Sequence, residues 1–145
     1  MPRDISKNMR AVKSSGSEIE RRLGRSLWKA GLRYRKDNRK IFGKPDFTLR
    51  GFRIAIFADS EFWHGKNWRV RKLEHKSNIE FWHRKIEANI KRDQLVNRTL
   101  RRDGWIVLRF WGNSIIKTVD ICVAKVAAVV VERLQNESIN IPPGQ

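Results

Sequence analysis

Apolar residues recur along this chain at two different spacings, and the alternation between them predicts the order of its elements. Ile19, Leu23, Leu27 and Ala30 fall three or four apart, which places them on one face of a helix. Ser17, with Glu20 three residues on, is a capping-box pattern for its start, and Gly31 ends it. Leu32-Arg33-Tyr34-Arg35 alternates apolar and basic, as a short exposed strand does, and residues 36–40 form a charged loop. Residues 45–49 and 52–58 predict two strands joined by a tight link at Arg50 and Gly51. Within the second, Ile54-Ala55-Ile56-Phe57 is too short and too β-branched for a helix and reads as a buried strand. Residues 65–76, polar and basic around Trp68, read as a surface loop.

Helical spacing returns over 77–102, with Ser77 and Glu80 as a second capping pattern. Ile79, Trp82, Ile86, Ala88, Ile90, Leu95 and Leu100 make an imperfect stripe there, and Arg84, Lys85, Lys91, Arg92, Arg98, Arg101 and Arg102 occupy the other face. Gly104 stops that helix, 105–111 predicts a third good strand, and 115–135 predicts a final helix with Ile121, Val123, Ala127, Val130, Val131 and Leu134 as core material. Helix, strands, helix, strand, helix is the order of an α/β fold, a mixed central sheet flanked by helices. The expected organisation is a flexible basic arm at 1–16, one domain at 17–135 and a tail at 136–145.

Charge changes this picture from fold to partner. Lys and Arg number 32 against 15 Asp and Glu, a net +17 over 145 residues. Such an excess points to a polyanion, and six Trp interleaved with the basic residues suit a surface that grips phosphates and touches bases. The single Cys122 excludes an intramolecular disulfide and a Cys-rich zinc site. No apolar run reaches membrane-spanning length and the N-terminus carries no signal-peptide core, so the expected setting is the cytoplasm, on the nucleoid.

The candidate chemistry lies near the two central strands. Gly43-Lys44-Pro45 delivers Asp46 into one, and the other ends in Asp59-Ser60-Glu61-Phe62-Trp63-His64. Carboxylates on neighbouring strands suit a hard divalent cation such as Mg²⁺, which takes oxygen ligands and neutralises charge on a scissile phosphate. Asp59 and Glu61 alternate, so at most one of them shares a cation with Asp46. Asp46 alone is equally a turn residue, and Glu20 equally a helix cap. His64 has the chemistry of a general base, and Asp93, an acid in a basic helix segment, that of a carboxylate orienting an imidazole or of a surface ion-pair partner. Phe62 and Trp63 are either core or wedges for base steps.

Taken together these motifs resemble the very short patch repair (Vsr) DNA mismatch endonucleases, a branch of the restriction-endonuclease-like superfamily. The resemblance spans about residues 5–112 and rests on Ser6-Lys7-Asn8-Met9-Arg10-Ala11, Ile19-Glu20-Arg21-Arg22-Leu23, Gly43-Lys44-Pro45-Asp46-Phe47, Phe62-Trp63-His64, Glu80-Phe81-Trp82, Arg92-Asp93, Gly104-Trp105 and Trp111. It implies a restriction-endonuclease-like core and Mg²⁺-dependent nicking of double-stranded DNA beside a T:G mismatch. It implies that Asp46 binds the metal, His64 acts as general base, Asp93 supports it and Glu20 lies near the metal. Met9, Phe62, Trp63 and Trp82 fall on residues around the mismatched pair, with Lys7 and Arg10 beside Met9 in the basic arm. Where some members have a Thr at the metal this chain has Ala58, which offers only its backbone, and Asp59 becomes the additional acid. Members with a structural zinc place Cys and His where this chain has Glu61, Lys66, Trp68 and about Asn113, so no zinc is expected. The protein is expected to be a monomer, with further repair or targeting proteins as partners. A homing-type nicking enzyme indifferent to mismatches and a non-catalytic DNA-binding protein are the competing readings.

Overall fold

The computed structural model describes residues 18–61 and 79–140. The basic arm, Ser17, the loop at 65–76 and Ser77 lie outside these residues, as do Met9, Lys7, Arg10, Phe62, Trp63 and His64. Helix α1 (18–29) comes first. Gly31 closes it at φ +85°, while the Leu32 N–H donates to the Leu27 carbonyl and the Gly31 N–H to the Trp28 carbonyl, both at 3.0 Å. This Schellman motif satisfies carbonyls that a helix end leaves orphaned. Strands β1 (Arg35–Lys36), β2 (Phe47–Leu49) and β3 (Ile54–Asp59) follow, the last two linked by a 3-10 turn at Arg50–Phe52. Helix α2 (Ile79–Arg102), strand β4 (Ile106–Trp111) and helix α3 (Gly112–Asn140) complete the chain. Gly104, at φ +89°, repeats the same stop after α2, with the Trp105 N–H donating to the Leu100 carbonyl at 2.9 Å.

The sheet runs β1-β2-β3-β4. The first two pairs are antiparallel and β3–β4 is parallel, in register from Ile54↔Ile106 to Asp59↔Trp111. Parallel neighbours need a long crossover, and α2 is part of it. Alternation along β3 divides the core. Ile54 and Ile56 pack with Ile19, Leu23 and Leu27 of α1 and with Ile115, Cys122 and Val126 of α3. Ala55 and Phe57 face the other way, onto Val96 and Leu100 of α2. The result is an α/β fold of three layers, compatible with a restriction-endonuclease-like core. Each fully buried Leu or Ile in it contributes roughly 1.5–3 kcal/mol.

Four expectations need correction. The first strand is Arg35–Lys36 rather than 32–35, because its rungs are set by β2. The last helical segment spans Gly112–Asn140, beyond both expected ends, but a break at Thr118 (φ −143°, ψ 52°) divides it into two helices, and no glycine or proline follows that break before Pro142. Its buried face is Ile115, Cys122, Val126 and Val130, whereas Ile121, Val131 and Leu134 are exposed. On α2, Leu95 is exposed and Val96 takes the core position.

Candidate metal centre

Asp46 owes its position to the turn before it. Gly43 and Lys44 both have positive φ, +82° and +50°, and a Cβ on Gly43 would collide with the Val96 side chain. Pro45 is fully buried and fixes the chain direction into β2. The Asp46 carbonyl then accepts the Asp37 N–H at 3.0 Å, extending the β1–β2 pairing by one residue. Its side chain takes over the next rung toward β3, with the Ala58 N–H donating to Asp46 Oδ2 at 2.7 Å. Backbone contacts on two sides thus hold one carboxylate at the C-terminal end of β3, where open α/β sheets place their ligands.

Two more carboxylates converge there. Oxygens of Glu20, Asp37 and Asp46 lie within 4.8 Å of one another. Glu20 comes from the first turns of α1 and brings its carboxylate up to that of Asp46, while Asp37 comes from the end of β1, itself at φ +51°. Burial pushes the Asp46 carboxyl up to about 7. The Ala58 N–H opposes that rise, and the neighbouring charge of Glu20 and then of Asp59 adds to it. Like charges held this close are relieved by a cation, and an all-oxygen donor set from three carboxylates fits a hard divalent ion.

A second cluster lies on the α2 side of the sheet. Arg109 Nη1 is 3.1 Å from both oxygens of the buried Asp59, and Arg109 Nε donates to Asn97 Oδ1 at 2.7 Å. Asp93 Oδ1 stands 3.6 Å from the same nitrogen, and the guanidinium lies 4.0 Å over the Phe57 ring. Asp59 therefore sits with Arg109 and Asp93, and Glu20 and Asp46 with Asp37. Ala58 contributes its N–H to Asp46. Trp82 is half-buried on α2, edge-on to Phe81 with ring centroids 5.0 Å apart.

Sequence reasoning left out Asp37 and Arg109. Asp37 follows directly from the β1–β2 register, in which Lys36 faces Phe47, so the next residue faces Asp46. Arg109 was visible as a lone cation inside the apolar strand of residues 105–111. Glu61, beyond β3, accepts the Asn113 N–H at 2.6 Å in the first turn of α3, and a Cβ on Gly112 would come 3.1 Å from its other oxygen. Glu61 thus ties the end of β3 directly to a helix N-terminus, a favourable site for negative charge.

Comparison with known proteins identifies the family. The family profile described as DNA mismatch endonuclease Vsr matches residues 1–70. The chain is 47% identical over 132 residues to the type II nicking enzyme V.NmeDIP of Neisseria meningitidis serogroup C, covering 91% of this chain and 89% of that one. This chain belongs to the Vsr family of DNA mismatch endonucleases. Its other relatives include the type II nicking enzyme V.HpaIIP of Haemophilus parainfluenzae, 44% identical over 91% of this chain and 94% of that one. The DNA mismatch endonuclease Vsr of Escherichia coli K12 is 37% identical, over 73% of this chain and 67% of that one. As a Vsr-family member the protein is a DNA endonuclease, and among the described residues no helix is long and apolar enough to cross a membrane.

Proposed function

We propose that this Vsr-family protein nicks one strand of double-stranded DNA by Mg²⁺-dependent hydrolysis of a phosphodiester bond, at or beside a T:G mismatch. The observation that carries the reading is the convergence of Glu20, Asp37 and Asp46 at the C-terminal end of β3, in a chain of net charge +17. Asp46 and Glu20 would hold the cation, with Asp37 completing the oxygen set. When bound, Mg²⁺ supplies charge neutralisation at the phosphoryl oxygen and acidifies water. His64 takes the proton from the attacking water and Asp93 orients its imidazole. Arg109 steadies Asp93 and Asp59 from β4. Met9, Phe62, Trp63 and Trp82 contact the mismatched pair, while Lys7 and Arg10 neutralise phosphates on either side of Met9. The protein works as a monomer on chromosomal DNA in the cytoplasm, with repair or targeting proteins nearby.

The test is a denaturing-gel nicking assay on T:G and matched T:A duplexes at one salt concentration, with and without Mg²⁺. Cleavage of the T:G duplex alone supports the mismatch reading. Equal nicking of both duplexes supports a sequence-specific nicking enzyme indifferent to the mismatch. Asp46→Ala should abolish cleavage while retaining DNA binding, and unchanged Mg²⁺-dependent cleavage by this variant would refute the metal assignment.

A further inference from the structure

A cleft of about 540 Å³ lies between α1 and the sheet edge at β1, and Glu20 of the acidic cluster forms part of its wall. Arg21, Arg25 and Lys29 line it from α1 and Lys36 from β1, over a floor that includes Tyr34 and Trp28. Arg21 is committed to Glu18 at 2.7 Å. Among the described residues Arg25, Lys29 and Lys36 carry no ion pair, so three cations face a cleft without a counter-charge of their own. Gly24 lets the Tyr34 ring seat directly against α1, since a Cβ there would meet the Tyr34 hydroxyl at 2.7 Å. Trp28 is 52% exposed, yet its ring is held in place. The Arg33 guanidinium covers it at 3.7 Å and also donates to the Trp28 carbonyl at 2.9 Å, while Tyr34 packs edge-on with centroids 6.0 Å apart. An exposed aromatic held still is a stacking platform for a base.

Length connects the two ends. Glu20 and Trp28 are eight residues apart on one helix, about 12 Å at a rise of about 1.5 Å per residue. With each nucleotide advancing a strand by about 3.4 Å, that span covers about three nucleotides.

We propose that this cleft is a subsite for about three nucleotides of the cut strand, on one side of the scissile phosphate. Arg25, Lys29 and Lys36 take the phosphates, and Trp28 takes the base at the far end. The proposal rests on the nuclease reading for the position of the scissile phosphate, whereas occupation of the cleft by a nucleotide strand does not depend on it.

The experiment measures binding of tetrathymidylate to the full chain without divalent metal, across a salt series. Arg25→Gln with Lys29→Gln should lower the slope of log affinity against log salt by about 1.4, at about 0.7 per phosphate contact on a single strand. Trp28→Ala should weaken binding with the slope unchanged, and Trp28→Phe should restore it. The control pair Arg98→Gln with Arg101→Gln, on the exposed face of α2, should leave binding near the wild-type value. Equal weakening by both pairs, or no change with the first, would overturn the subsite. Neutral methylphosphonate linkages placed on either side of a mapped nick then test the direction. They should weaken binding on one side only, and the Arg25→Gln, Lys29→Gln protein should be insensitive to them. Sensitivity on both sides overturns the placement. A protein that nicks no duplex yet keeps the tetrathymidylate difference would refute the nuclease reading and leave the subsite standing.

Discussion

Asp46 shows how one residue links folding to cation binding. Its ordinary value is 3.8, and burial with Glu20 beside it raises that to about 7 in the folded protein. A raised acid stabilises the fold while protonated. That contribution is complete below pH 3.8 and is lost as pH climbs through 7. Metal-free protein should therefore be less stable at pH 8 than an Asp46→Asn variant, and the gap should close toward pH 4. The gap is at most ~4 kcal/mol, from about 1.4 kcal/mol per tenfold change in proton affinity. Thermal melts in chelator at the two pH values measure it. Mg²⁺ should raise the melting temperature of the wild type more at pH 8 than at pH 5, and should do little for Asp46→Asn. The sequence exposed Asp46 because Gly-Lys-Pro-Asp announces a turn entering a strand. It hid Asp37, because an acid in a basic loop becomes meaningful only once β1 and β2 are paired in register.

At the scale of elements, existence was easier to read than facing. Helices α1 and α2 and strands β2, β3 and β4 were visible from spacing and from the glycines that end the helices. The buried side of α3 was not, because its apolar residues surround the helix between Val119 and Val131 and no single stripe dominates. Packing against β3, β4 and α1 selects Ile115, Cys122, Val126 and Val130. Urea denaturation should show Ile115→Ala losing ~2–5 kcal/mol. Ile121→Ala, at 55% exposure, should stay within ~0.5 kcal/mol of wild type. Gly43→Ala tests the turn before Asp46. It forces a side chain into Val96 at a positive φ, so it should cost roughly 1–3 kcal/mol and reduce nicking by displacing Asp46.

For the molecule as a whole, the structure draws two neighbouring acidic groups out of what the sequence presented as one. Glu20, Asp37 and Asp46 gather where α1 meets the strand ends, while Asp59 and Asp93 meet Arg109 on the side of α2. Which acids the Asp46 carboxylate meets depends on the β1–β2 pairing and on the approach of α1, and neither could be placed before the strands' partners were known. Arg109→Gln should destabilise the protein by ~3–5 kcal/mol, because it strips the guanidinium from a buried carboxylate. Adding Asp59→Asn should recover much of the loss, and a double-mutant cycle in urea reads the coupling.

The bond from Glu61 to the Asn113 amide has a practical side. A carboxylate clasping a peptide N–H is indifferent to EDTA and to peroxide, and it draws on no supply of a scarce trace element. Removing divalent metal with chelator should therefore leave this junction closed.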